Sequence, residues 1–326
     1  MAKTDKKGKI TIANIIAMVG ICLLAIYSYM GNSYLSGGET GADIIKTAVL
    51  VGFTAFLLWF LIKAKGAENN IKKWKMLEIG TLVVYIIIAI ATSLFGGVMH
   101  YFVVNDNKDE IERYAAEDLA RIDTLIAEYK TYERGAIEQS VKGLKNAISR
   151  KYDESVENFM TENAIIKTNA SIDVFNKICN DTYLGRADSV IKNYNKEKEN
   201  INIVIDNWNT MLIASKAKQI SILAEEMETF FTKLSHSEKH KLPYIVLSES
   251  NPKIFTITHY QSKKFEIEGD FKFKKAIMEA EGFSTAALFM VIFIHLLILF
   301  NYIVAYRTAT IGVGKNYEED GGIILY

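Results

Sequence analysis

The sequence predicts an all-α membrane protein with four transmembrane helices. It also predicts an extracytoplasmic antiparallel helical bundle and a small β element near the membrane. Three observations lead there. Half of the 326 residues are apolar, yet they pile up in residues 10–104 and 283–306. Residues 105–282 instead carry the charge density of a soluble domain. Only two prolines occur, which suits long helices because proline removes an amide donor and breaks the ladder.

Span one rests on a run without charge from Ile10 to Ser36, whose apolar heart, residues 10–30, is about the ~20 residues a helix needs to cross the hydrocarbon. Its length reads as a retained span rather than a cleaved signal peptide. Span two, about 44–62, is the weakest, built on Ala48 to Ile62 and extended by Ile44, Ile45 and a snorkelling Lys46. The third, 79–104, is free of acidic and basic side chains apart from His100. The fourth, 283–306, holds His295 as its one titratable nitrogen base.

Lysine and arginine in short flanks set orientation. Lys3, Lys6, Lys7 and Lys9 precede the first span, and Gly31 to Asp43 has no basic residue. The next connection holds Lys63, Lys65, Lys72, Lys73 and Lys75, with Trp59 and Trp74 where interfacial anchors belong. The N-terminus and this loop are therefore expected inside, residues 105–282 outside, and 307–326 as a short cytoplasmic tail. A basic run before the fourth span (Lys263, Lys264, Lys272, Lys274 and Lys275) opposes this, but long loops translocate largely regardless of charge. The expected setting is a bacterial inner membrane.

The bundle, 105–235, opens with Ile111, Ala115, Asp118, Ile122, Leu125, Tyr129, Tyr132 and Ala136 at steps of four and three. That heptad stripe reads either as a coiled-coil-like stalk or as one face of an ordinary bundle helix. Gly135 and Gly143 flank an expected break, after which Val141, Leu144, Ile148, Tyr152, Val156, Phe159 and Met160 keep the period. A further helix starts near Ser171, Gly185 marks a turn or kink, and the best helix runs from about Asn200 to Leu234. Residues 236–282 form a small β-containing, membrane-proximal segment. Tyr244–Leu247 and Ile254–Thr258 are its strands, and Lys264–Glu268 with Phe271–Phe273 could add a third.

Chemistry-bearing residues are few. His236 and His240 stand four apart, the spacing with which one helix face offers two ligands to a metal, although no third ligand is near and a solvated helix end explains them equally. His295 lies mid-span, where a polar group faces protein or a watery cavity, and Asn14, Asn301 or a hydroxyl of another span are its expected partners. It reads as a neutral interhelix hydrogen bonder or as a proton-coupled group, the latter weakened because no intramembrane carboxylate accompanies it. Ala89, Ser93 and Gly97 fall at steps of four and let another helix approach closely. Ile323, Ile324, Leu325 and Tyr326 end the chain after an acidic, glycine-containing stretch. They are candidates for docking on a cytoplasmic partner or for folding back on the membrane surface.

A net charge of zero gives no global field toward nucleic acid. Two cysteines, one in a span, exclude an intrachain disulfide in the soluble region and offer no CxxC zinc pair. No phosphate-binding loop, nucleophile elbow or paired acid motif is present, so neither catalysis nor a cofactor is expected. The plan of span, external helical bundle and span resembles bacterial receptors with four-helix sensing domains. Such receptors continue into a long cytoplasmic signalling domain, whereas 20 residues follow the last span here. The leading expectation is thus a non-catalytic subunit of an envelope-embedded assembly. It would bind the bilayer and other membrane or envelope proteins, with self-association a further option. A sensory subunit with a separate output partner comes second, and a channel or transporter last.

The orientation is open to a direct check. In a chain lacking Cys22 and Cys179, a cysteine replacing Asn200 is expected to react with an impermeant thiol reagent in intact spheroplasts. One replacing Ala67 is expected to stay unlabelled, and the reverse pattern would overturn the topology.

Overall fold

Four helices are long and apolar enough to cross a membrane. The computed structural model describes residues 11–65, 71–149, 157–158, 161, 169–236, 243–247, 255–259, 262–304, 307–308 and 324–325. In chain order these are α1 (Ile12–Ser36), α2 (Thr40–Lys65), α3 (Ile71–Val84), a π-helical segment Tyr85–Ile90, α4 (Ala91–Leu94) and α5 (Gly97–Asp106). Then come α6 (Lys108–Ser149), α7 (Asn169–Cys179), a second π segment Asn180–Leu184, α8 (Gly185–Asp206) and α9 (Ile213–His236). Two short strands, β1 (Pro243–Leu247) and β2 (Phe255–His259), pair antiparallel with Ile245 opposite Ile257. The chain continues through α10 (Lys272–Met278) and α11 (Thr285–Val304). A two-residue ladder, β3 (Arg307–Thr308) with β4 (Ile324–Leu325), follows.

The chain divides into two units. The first comprises 1–111, 210–215 and 273–326, and the second 112–209 and 216–272.

In the first unit α1 is the hub, packing on α2, α5 and α11. Its buried face is built from small residues, Ala17, Gly20, Ser28 and Gly31, so neighbouring backbones come close. A Cβ on Gly31 would lie 1.6 Å from the carbonyl oxygen of Gly97, and one on Gly20 would lie 2.8 Å from Ile298. Leu24, Leu61, Tyr85, Val98, Val291, Ile294 and Ile298 fill the apolar core around it. α1 ends in a Schellman motif: Gly37 has φ 64°, its amide donates to Tyr34, and the Gly38 amide donates to Ser33.

The third span is longer and less regular than its composition suggests. The apolar helical stretch starts at Lys73, so Glu78 falls within it, buried. The regular ladder opens into the π segment at Tyr85–Ile90 and stops at Phe95, with Gly96 extended. Gly97 then starts α5, pressed against Ser28 and Asn32 of α1.

The second unit differs from the expectation in three places. α6 runs unbroken to Ser149 through Gly135 and Gly143, because Ala136, Ile137, Ser140 and Leu144 continue its buried face. The single helix expected over 200–234 is interrupted after Asp206. There, another Schellman motif places Trp208 at φ 43°, with Trp208 N donating to Ile205 O and Asn209 N to Val204 O. A tryptophan in the left-handed region is uncommon, which is why no glycine or proline signalled the stop. Residues 264–268 form no third strand. They lie extended along α9, where Thr232 Oγ1 accepts from Phe265 N at 3.0 Å and Glu228 Oε1 accepts from Ile267 N. Ser235 Oγ donates to Lys263 O. Tyr152, Val156, Phe159 and Met160 lie outside the described residues.

The core of this unit is aromatic. Tyr129 of α6 stacks on Phe231 of α9 with ring centroids 4.2 Å apart, and Phe265 meets both Tyr129 and Tyr132 edge-on at 5.5 Å. Offset and edge-to-face pairs of this kind contribute about 0.5–1.5 kcal/mol each beyond area burial. Asp118, the polar break in the heptad stripe, is fully buried and holds Arg121 at 3.3 Å. Arg121 in turn donates to the carbonyls of Glu268, Gly269 (2.5 Å) and Asp270 (2.8 Å) and stacks over Phe271. The charge therefore orients a clamp on the return segment. Tyr194 of α8 donates to Leu119 O and to Asp123, which also pairs with Lys198 at 2.5 Å.

Glu133 is 4% exposed on α6, and burial pushes its carboxyl up to about 7. The folded state thus holds this proton more tightly than the unfolded chain, whose carboxyl titrates near 4.5. Ionising it therefore costs stability progressively as pH rises from 4.5 through 7. Glu133→Gln is expected to flatten the pH dependence of thermal unfolding over that window and to stabilise the chain at pH 8, by at most about 3 kcal/mol. An unchanged pH profile would show that Glu133 is ionised without cost.

Candidate functional site within the spans

The π segment in the third span adjoins a cluster of buried polar side chains shared with α11. A π turn widens the helix locally, and such bulges are frequent at functional sites. Here the segment carries Tyr85 and Ala89 on its buried side. Ser93 of α4 follows one turn later, and α11 brings His295 against them.

Tyr85 Oη lies 2.8 Å from His295 Nδ1, and Ser93 Oγ lies 3.1 Å from His295 Nε2. The direction of each bond can be deduced. Ser93 has one hydroxyl proton, and it is donated to Ala89 O at 2.8 Å. Ser93 Oγ must then accept from His295 Nε2–H, which leaves Nδ1 unprotonated to accept from the Tyr85 hydroxyl. The result is one directed chain, Tyr85 to His295 to Ser93 to the Ala89 carbonyl, with the imidazole neutral. An imidazolium would have two donors. The Tyr85 hydroxyl would have to turn and accept, leaving its own proton without an acceptor in a buried site. All four groups are buried, with His295 2% exposed.

Asn14 and Asn301, the other partners expected for His295, bond to each other instead. Asn301 Nδ2 donates to Asn14 Oδ1 at 2.5 Å, tying α11 to α1. At the same end Tyr302 donates to Glu78 at 2.7 Å. Lys65 donates to Tyr302 O at 2.7 Å, placing a cation on the last carbonyls of α11, where the helix dipole favours one. At the opposite end Tyr34 donates to Thr210 O at 2.9 Å, His100 Nε2 donates to Ile277 O at 2.7 Å, and Ser36 donates to Asp43 at 2.8 Å. Carboxylates therefore do enter the apolar helical stretches, as Glu78 and Asp43 near their ends, and neither bonds to His295. Glu78 was missed because the sequence places the third span from Ile79 onward.

Of the small-residue trio, Gly97 meets α1, Ser93 bonds to α11, and Ala89 lies in the apolar core. The matching small residues of α1, Gly20 and Gly31, had escaped notice. Their signal was readable in Ala17, Gly20, Ser28 and Gly31 recurring on one face. His236 ends α9, while His240 lies outside the described residues. No group of three metal-ligating side chains occurs among the described residues. Ile324 and Leu325 form the two-residue ladder already given, and Ile323 and Tyr326 lie outside the described residues. Cys179 is buried, which pushes its thiol up to about 12 and leaves it unreactive near neutrality.

No family model, no curated protein and no solved structure matches the chain.

The arrangement can tie helices or relay a proton, and mutation separates the two. Tyr85→Phe is expected to destabilise the detergent-solubilised protein by about 0.6–1.7 kcal/mol, the range of interhelix bonds within membranes. Combining it with Ser93→Ala and His295→Phe is expected to recover much of the loss, because replacing all partners leaves no buried polar group unpaired. Additive losses in thermal unfolding would rule out a closed tie.

Proposed function

We propose that the chain is a non-catalytic integral subunit of an envelope-embedded assembly. In this reading its four apolar helices form a rigid anchor in a bacterial inner membrane. Residues 105–282 stand outside as an antiparallel helical bundle with its small β element near the membrane. The observation that carries the reading is that three polar side chains inside the spans are each held by residues of another span helix, although Ser28 Oγ and Asp43 Oδ1 are buried without a partner among the described residues. His295 is held by Tyr85 and Ser93, Asn14 by Asn301, and Glu78 by Tyr302. A transport pathway needs polar groups that exchange partners, whereas these bind helix to helix. Partner contact then falls to the second unit, where α7 exposes Val174 and Ile178 one turn apart, at 58% and 55%. Paired apolar side chains on a water-exposed helix suit an i, i+4 contact with another protein. Ile323 to Tyr326 would be a second docking element toward a cytoplasmic partner, in competition with the ladder between Ile324–Leu325 and Arg307–Thr308.

A sensory subunit is the second reading, favoured by the buried Glu133, whose carboxyl titrates near neutral pH inside the water-exposed unit. Purification in mild detergent separates the two. The structural reading expects a stable set of envelope proteins to accompany the chain and to be lost from a Val174→Glu, Ile178→Glu variant that still inserts. Recovery of a kinase or phosphatase would favour sensing, and ion flux through the purified protein in liposomes would overturn both.

A further inference from the structure

Between α2 and α3 an open cleft of about 630 Å³ runs along the outside of the first unit. Phe56 and Phe60 line one wall, and Met76 and Leu77 the other. Gly80 deepens it: a Cβ there would meet nothing within 4 Å. The one hydroxyl in the lining, Thr81, is turned away, donating to Leu77 O at 2.8 Å. Only one charged side chain, Lys73, belongs to the lining, and it stands at the start of the apolar stretch of the third span.

These features describe an amphiphile site. The walls offer no hydrogen bond, so the occupant must be apolar along its length, and one cation marks the end where a negative group would rest. Lys65 cannot serve, because it is committed to the carbonyl and ring of Tyr302. Lys63 lies over the Trp59 ring at 4.8 Å. Lys73 has no carboxylate partner among the described residues, so its charge is available to a ligand. Met76, 77% exposed, and Phe56, 56% exposed, leave the cleft open sideways to the hydrocarbon.

We propose that this cleft is a binding site for an anionic phospholipid, with an acyl chain against Phe56, Phe60, Met76 and Gly80 and the phosphate on Lys73. A partner helix would fit the apolar walls but would leave Lys73, the one cation of the lining, without a counter-charge. An anionic lipid accounts for both, since basic groups at the ends of spans select anionic headgroups. A zwitterionic lipid presents its own cation to Lys73 and is disfavoured.

Native mass spectrometry of the full chain released from detergent tests the site, with phosphatidylglycerol or phosphatidylcholine added. The expected result is retention of one phosphatidylglycerol under activation that strips phosphatidylcholine. Lys73→Gln is expected to weaken it about fivefold, in line with one lysine at an anionic lipid surface. Gly80→Leu is expected to abolish it by filling the cleft, and Lys75→Gln, outside the lining, to leave it intact. Circular dichroism and thermal unfolding confirm that each variant is folded. Equal retention of both lipids, or of phosphatidylglycerol by all variants, would overturn the proposal. So would a dimer that Gly80→Leu dissociates, which would assign the cleft to a second copy of the chain.

Discussion

Backbone hydrogen-bonding groups cannot be left open in hydrocarbon, and that constraint governs how the span helices are arranged. The third span departs from regular helix twice, at Tyr85–Ile90 and at Phe95–Gly96. Irregular backbone at membrane depth is tolerated only where protein covers it. The π segment packs on α2 and α11, and beside the second break stands α1, whose glycines bring its backbone close: Gly31 leaves no room for a Cβ beside Gly97, nor Gly97 beside Ser28. The close approach therefore requires glycine on both sides. Around this contact Tyr27, Tyr34, Tyr101 and Phe102 pack ring to ring and close the same face with apolar bulk.

Polar side chains obey different rules in the two units. Between the spans His295, Asn14 and Glu78 each have a partner, because an unpaired donor in a low-dielectric interior costs far more than a bond returns, while Ser28 Oγ and Asp43 Oδ1 are buried without one among the described residues. The neutral tautomer of His295 follows from that economy, since each of its nitrogens has one partner of the right sense. In the second unit carboxylates and lysines pair at the surface, as Lys198 of α8 does with Asp123 of α6 and Lys263 of the return segment with Glu128. Exposed pairs of this kind contribute about 0–1 kcal/mol. The buried Asp118 matters more for direction than for strength, because it aims Arg121 at three successive carbonyls.

The four apolar helices were legible because length and composition suffice to mark them. Their inner detail was not. A π segment has no composition of its own: the run Tyr85-Ile-Ile-Ile-Ala-Ile reads as uniform helix, and only packing against His295 shows why the ladder widens. The stop after Asp206 was hidden for a related reason, as apolar residues keep helical spacing on both sides of Trp208. Conversely Gly135 and Gly143 suggested a break that did not occur. Glycine in a helix costs roughly 1 kcal/mol against alanine, which a continuous buried face readily offsets. Asp118 looked like an interruption of a stripe, and its role became readable only once residues 268–270, distant in sequence, lay beside Arg121. His295 was singled out from depth alone, but its partners could not be chosen among the available hydroxyls and amides without knowing how the helices rotate about their axes.

Chain boundaries drawn from hydropathy also cut across the physical units. Residues 105 and 282 bracket the charged stretch, yet 210–215 and 273–282 belong to the span unit. The reason is local. Tyr34, fully buried at the end of α1, finds its acceptor on Thr210, and His100 finds its own on Ile277. Phe273 and Ile277 are fully buried, and Gly37 and Gly38 leave room beside Met278 and Ala214. A polar group at the end of a span needs a partner other than lipid, and here two short pieces from far along the chain supply carbonyls. Each piece is thereby fixed by bonds that a hydropathy plot cannot register. The chain thus visits the span unit at three separate stretches of sequence, and the segments between those visits are tethered at both ends. Each return closes a loop of chain, an entropic cost that grows only slowly with loop length and that the bonds and burial at the three visits must offset.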